Sequence, residues 1–245
     1  MKYAIIFLLT SLFITNSEKL KTETYPPFVL FQLFTSQGCS SCPPADRLLE
    51  QVKKETQNPN VIVMSYHVDY WNKLGWKDPF SKRKYTELQY KYARKFNSSS
   101  VYTPQLVVNG NDHFTGSNKS KLKRSLKQYA SKKVTNSIII SNINKQKRIV
   151  NIDYEINSEL TNKIISFALV LDEETTFVKR GENTNRTIKN SNIVINQISF
   201  PVNTKNKGNT SINIPLQFNI NDNYRIISYT QNSNLEITGA TQKTI

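Results

Sequence analysis

The chain has little sulfur and little glycine. In 245 residues it holds two cysteines, two methionines and seven glycines. With so few glycines there is no glycine-rich phosphate loop, so no organic cofactor is expected. Two cysteines exclude a disulfide-dense scaffold, and the single Cys-x-x-Cys pair is only half of a structural zinc site. Histidine is scarce as well, with only His67 and His113. Acidic residues number 18 against 33 lysines and arginines, a net charge of +15. The excess is scattered and no basic patch is interleaved with aromatics, so no nucleic-acid partner is expected. No apolar run reaches the ~20 residues that a membrane-spanning helix needs. Internal repeats and low-complexity linkers are absent too.

The amino terminus carries a shorter apolar run, "AIIFLLTSLFI" from Ala4 to Ile14, behind Lys2 and ahead of the small residues Thr15 and Ser17. This is the layout of a secretory signal peptide over residues 1–17. No cysteine sits near the cleavage point for lipid attachment. The expectation is a periplasmic or secreted protein, with no integral membrane span after cleavage, in a compartment where disulfides persist.

Beyond the leader, "FVLFQLFT" (28–35) and "VIVMSYHV" (61–68) are nearly continuous apolar runs, as strands buried on both faces require. Between them, Ala45, Leu48, Leu49 and Val52 recur at helical spacing. The unit reads strand, helix, strand, with a crossover suited to parallel pairing. A second helix is expected over 81–96, with Tyr85, Leu88, Tyr92 and Phe96 as its inward stripe. "NGND" predicts a hairpin between short strands, and Ser117 is positioned to cap a last helix bearing Leu122, Leu126, Tyr129 and Ala130. After about residue 134 the period changes to strict alternation. Val150, Ile152, Tyr154 and Ile156 form one set and Ile212, Ile214, Leu216 and Phe218 another. Further strands are expected at 137–142, 164–171, 194–202 and 224–230, giving an all-β sandwich over 134–245 behind an α/β domain over 26–133.

Both cysteines, Cys39 and Cys42, fall in "FTSQGCSSCPPADRLL", where the first strand gives way to the first helix. Backbone N–H groups at a helix start favour a thiolate at Cys39. Cys42, three residues on, is placed to resolve a mixed disulfide formed there. Exchange of this kind asks for an exposed Cys39 and a shielded Cys42. Two other readings stay open: a purely structural disulfide, and a soft Cys39–Cys42–His67 ligand set suited to copper. "RGENTNRT" (180–187) holds Arg180, Glu182 and Arg186 but no base, nucleophile or metal set, and is expected to serve as an ion pair or an interdomain contact. Tyr70, Trp71, Trp76 and Phe80 either line a groove near the sulfurs or form a satellite core.

The stretches "LFTSQGCSSCPPADRLL", "HVDYWNKLGWKDPF", "VYTPQLVVNG", "RGENTNRTIKNSNIV" and "GATQ" resemble a family of exported bacterial thioredoxin-like proteins of unassigned role, the domain of unknown function 1223 family. The resemblance implies a thioredoxin-like fold in the first domain and thiol redox chemistry; it does not supply the substrate, and the partners expected are exported protein thiols or disulfides. It implies Cys39 as nucleophile, Cys42 as resolving thiol, Pro104 as a cis-proline and Thr103 as the residue that pairs with a substrate strand. The buried acid of typical thioredoxins is replaced here by Leu33, so a base for Cys42 must come from Asp69, His67 or Asp46. Pro43-Pro44 also departs from the pattern, and Pro43 is expected to push Cys42 out of the α region.

Overall fold

The computed structural model describes residues 25–157, 160–202 and 206–245. The leader predicted over residues 1–17 lies outside them. β1 (Val29–Thr35) and β2 (Val61–His67) are parallel and joined by α1 (Pro43–Thr56). A 3-10 turn over Asn72–Leu74 leads to α2 (Arg83–Lys95). β3 (Gln105–Val108) runs antiparallel to β1 and forms a hairpin with β4 (Asp112–Thr115), and α3 (Lys119–Ala130) follows. The rest is strand: β5 (Ser137–Gln146), β6 (Ile149–Asn157), β7 (Ile164–Val178), β8 (Arg186–Pro201), β9 (Lys207–Asn213), β10 (Tyr224–Gln231) and β11 (Ile237–Thr244).

These strands do not divide into an α/β thioredoxin-like domain beside a separate all-β sandwich. Strands dominate, α-helices number only three among the described residues, and one mixed sheet of eight strands runs β11-β10-β7-β8-β2-β1-β3-β4. The physical reason lies in β2. Every residue of "VIVMSYH" is buried, so β2 cannot be left as an edge. β8 closes that edge, pairing parallel at Ser65 and Ile193, and brings β7, β10 and β11 with it. The apolar run Ile193-Val194-Ile195 is buried on both faces for the same reason.

Three buried clusters follow from this sheet. On one face α1 and α3 cover it, with Leu49, Val52 and Leu122 against Phe31, Leu33 and Val63. On the other face lies α2, with Tyr85 and Tyr92 among Phe34, Tyr66, Val170 and Tyr229. The third cluster joins the long sheet to a three-stranded one ordered β5-β6-β9, where Val150, Ile152 and Ile212 meet Phe167, Leu169 and Ile226. Alternation along β7 separates the last two clusters: Ile165, Phe167, Leu169 and Leu171 point one way, Ala168 and Val170 the other.

Two local expectations are corrected. Asn118, not Ser117, caps α3, its Oδ1 accepting from Lys121 N at 2.9 Å. Pro215 lies just beyond β9, and Leu216 is 84% exposed rather than inward. β11 carries too few large apolar side chains to show an alternating pattern; its ladder with β10 forms it. The hairpin at Asn109-Gly110 adopts positive φ at both residues, 48° and 69°. Among the described residues no helix is long and apolar enough to cross a membrane.

Candidate functional site

The loop 36–42 connects the fully buried β1 to α1. Cys42 is the N-cap of α1, and Pro43 and Pro44 occupy the first helical turn, where a missing N–H costs nothing. Cys42 lies in the αR region, with φ −78° and ψ −41°. The expected displacement by Pro43 does not occur, because Cys42 N donates back to Cys39 O at 3.3 Å and closes a turn. The two cysteines form a disulfide with their Cα atoms 5.5 Å apart. Ser40 and Ser41, between them, are exposed.

Cys39 is not exposed, contrary to the asymmetry that exchange asks for: its relative accessibility is 0%, and that of Cys42 is 1%. The cysteine loop is also bound by the other half of the chain. At the tip of the β7–β8 hairpin, Asn183 donates its side-chain amide to Gln37 O at 2.9 Å and to Cys39 O at 3.0 Å. The neighbouring Glu182 carboxylate accepts from Ser40 N at 3.0 Å, which holds its pKa below the ordinary glutamate value. Arg186 completes the tip by donating to Asn183 Oδ1. The stretch expected to make an ion pair or an interdomain contact therefore ties the second half of the chain to the cysteine loop.

Beneath the cysteines lies a buried polar set. Asp46, one helical turn after Cys42, accepts from Thr35 Oγ1 at 3.0 Å and from Asn190 Nδ2 at 3.4 Å. Burial pushes its carboxyl up to about 6, against the opposing pull of His67 and of these hydrogen bonds. His67, at the end of β2, is fully buried, and its Nδ1 lies 2.7 Å from Asp78 Oδ2. Burial opposes its charge, but the Asp78 carboxylate and their hydrogen bond outweigh that and raise the imidazole above its ordinary value, with a smaller contribution from Asp46. Asp78 is held low in turn: the penalty of burial is overcome by His67 and by the backbone N–H groups of Gln37 and Phe80. The Nε2 of His67 is buried with no partner. Gln37 ties the set together, accepting from Trp76 Nε1 at 3.1 Å and donating to Asn190 Oδ1 at 2.9 Å.

The Thr103–Pro104 peptide is cis. Thr103 Oγ1 accepts from Trp71 Nε1 at 2.8 Å, and Trp71 packs against Gly38, whose added Cβ would stand 3.2 Å from Trp71 Cβ. Gly116 fits between Pro104, Ala45 and Leu33. Thr103 and Pro104 thus border the cysteine loop. Asp69 does not join them: its carboxylate accepts from Thr86 Oγ1, and its role is to hold α2. Trp71 and Trp76 flank the loop, whereas Phe80 packs between the His67 ring and Phe218. Among the described residues no three His, Cys, Asp or Glu side chains stand together in a way that would hold a metal ion, and the sulfurs of Cys39 and Cys42 are bonded to each other.

Sequence reasoning named Cys39, Cys42, His67, Asp46, Thr103 and Pro104. It missed Gln37, Asp78, Asn190 and Asn183. Asp78 was within reach, since "KDPF" follows the loop that begins at His67. The two asparagines had no local signal, because each meets its partners around the cysteines more than 140 residues away.

Fold and site together define a β-rich protein whose long mixed sheet carries a covered Cys-x-x-Cys disulfide above buried carboxyl groups. The chain belongs to the family described as protein of unknown function (DUF1223), whose model matches residues 30–231. It is similar to the crystal structure of protein AGR_C_4864 from Agrobacterium tumefaciens, with 27% identity, a TM-score of 0.64, and coverage of 87% of this chain and 92% of that one. Likeness to OgpA from Akkermansia muciniphila is far lower, at 14% identity and a TM-score of 0.26 over 44% of this chain and 28% of that one. No curated protein matches the chain.

Proposed function

We propose that the protein is an exported thiol–disulfide oxidoreductase in which Cys39 and Cys42 are the redox couple, acting on exported protein thiols or disulfides. Export rests on the leader-like sequence of residues 1–17. The observation that carries the chemistry is Asp46. A buried carboxyl held near pKa 6, one turn beyond Cys42, costs stability at neutral pH, and a permanent crosslink has no use for it. In this reading Asp46, four residues after Cys42 on the same helix, would serve as proton acceptor when the thiol must become a thiolate and as proton donor when Cys42 leaves. Thr103 and Pro104, at the border of the loop, would position the partner chain.

A second reading is favoured by one observation, the complete burial of both sulfurs: a non-catalytic interaction protein with a fixed disulfide. Trapping separates the two. In Cys42→Ala the redox couple retains partners as mixed disulfides through Cys39. A fixed crosslink yields no adducts, and its reduction potential lies below about −300 mV.

A further inference from the structure

Around the disulfide, main-chain donors are nearly all engaged. Gln37 N donates to Asp78 Oδ2 at 2.8 Å, Gly38 N to Ser36 Oγ at 3.0 Å and Cys39 N to Ser36 O at 3.1 Å. Ser40 N is taken by Glu182, and Cys42 N by Cys39 O. Pro43 and Pro44 have no N–H, and Ala45 N and Asp46 N both donate to Cys42 O. The helix-start amides expected to favour a thiolate at Cys39 are therefore missing or already spent. Between Gln37 and Asp46 that leaves Ser41, and its side-chain oxygen lies 3.4 Å from Cys39 Sγ. A disulfide sulfur carries no hydrogen, so the hydroxyl is the donor in this contact. The bond is weak while the sulfur is neutral and becomes charge-assisted, about twice as strong, once the sulfur ionises. The charged groups about the loop do not fill this place. Arg186 is spent on Asn183 and the His67 Nδ1 on Asp78, while Glu182 and Asp46 bring carboxyl groups.

We propose that Ser41 is a catalytic residue of the couple: its hydroxyl donates to Cys39 Sγ and holds the reduced sulfur as a thiolate. This rests on the redox reading above. In the reduced chain Cys39 gives its proton to solvent, and the Ser41 O–H closes on the anion. The same bond serves when Cys39 is a leaving group. A dithiol partner's second thiolate attacks the partner's own sulfur in a mixed disulfide with Cys39, and the partner departs as a disulfide. Cys39 leaves with the electron pair of the broken S–S bond, and the Ser41 hydroxyl meets that charge. Ser40 has no such part, since it faces Glu182.

The test uses the full chain in the Cys42→Ala background, where Cys39 titrates alone. NMR of the isotope-labelled cysteine Cβ follows its ionisation as pH is raised, whether or not reagents reach the sulfur. Ser41 is exposed, so alanine fits the loop. Adding Ser41→Ala should raise the Cys39 midpoint by about one unit, a tenfold loss of thiolate at any pH below it. Ser41→Thr keeps a hydroxyl and should restore the midpoint, and Ser40→Ala should leave it in place. A Ser41→Ala midpoint that coincides with the parent overturns the inference, as does a threonine variant that titrates like alanine. Trapping in the same background tells two failures apart. Partners captured through Cys39 with an unmoved midpoint sink only the role of Ser41. A raised midpoint with nothing captured keeps the hydrogen bond but sinks the redox reading, and the catalytic role of Ser41 with it.

Discussion

Asn190 stands between Gln37 and Asp46, accepting from Gln37 Nε2 at 2.9 Å and donating to Asp46 Oδ1 at 3.4 Å. One residue of β8 thereby holds both the loop before the disulfide and the carboxyl behind it. The C-terminal half of the chain is part of the site rather than an appendage to it.

Asn190→Ala removes both contacts inside a buried set. The expected cost is about 1–3 kcal/mol of stability. The Asp46 carboxyl, losing a hydrogen bond that lowers its pKa, should titrate above about 6. Urea unfolding and carboxyl-selective NMR titration check the two effects separately.

The raised pKa of Asp46 fixes a pH dependence. Between the ordinary value of 3.8 and about 6 the folded chain holds a proton that the unfolded chain has released, so this group makes stability fall as pH rises through that window. Asp46→Asn should flatten that slope and stabilise the protein at pH 7 by up to about 3 kcal/mol. It should also slow thiol exchange. Urea midpoints from pH 4 to 8 measure the first effect; a slope unchanged by the substitution would contradict it.

His67 and Asp78 form the opposite case, a pair that stabilises while charged. The contribution of His67 is complete below its ordinary pKa of 6.5 and fades as pH rises through its elevated folded value. Asp78, depressed below 3.8, contributes above that value and loses it as acid protonates it. Asp78→Asn leaves a buried imidazole without its counter-charge. The expected loss is about 3–5 kcal/mol at pH 6. Proton NMR of the His67 ring should show a lowered pKa, because burial is then opposed only by the smaller pull of Asp46.

Gly110→Ala addresses the fold rather than the site. Gly110 has φ +69°, and a Cβ there would lie 2.0 Å from the carbonyl oxygen of Leu235. Left-handed backbone and a clash with main chain together should destabilise by more than about 2 kcal/mol. Thermal unfolding with the disulfide intact reads the loss; a melting temperature within a degree of wild type would refute the fit.

Much of this was legible in the residues. The apolar stripe of α1 marks its inner face, since Ala45, Leu49 and Val52 are buried as their spacing predicts. Tyr85 and Tyr92 do the same for α2. Strand positions came from period two and from continuous apolar runs, and the cysteine pair came from its place between strand and helix. Edges were not legible. Nothing in "VIVMSYH" names β8 as its neighbour, and nothing in "RGENTNRT" shows that Asn183 would be buried. Backbone pairing is generic, so the choice between possible neighbours depends on which arrangement leaves no buried strand uncovered.

The sequence by itself determined the local elements, the faces they bury, and the chemistry available at Cys39, Cys42, Asp46 and His67. Periodicity and residue type act over a few residues, and they suffice for that. Only the tertiary structure decided that both halves share one sheet, that Asn190 and Asp78 complete the polar set, and that Asn183 binds the main chain of the cysteine loop. Those contacts join residues from 11 to 153 positions apart. They exist because buried donors and acceptors must find partners wherever the packed strands bring them.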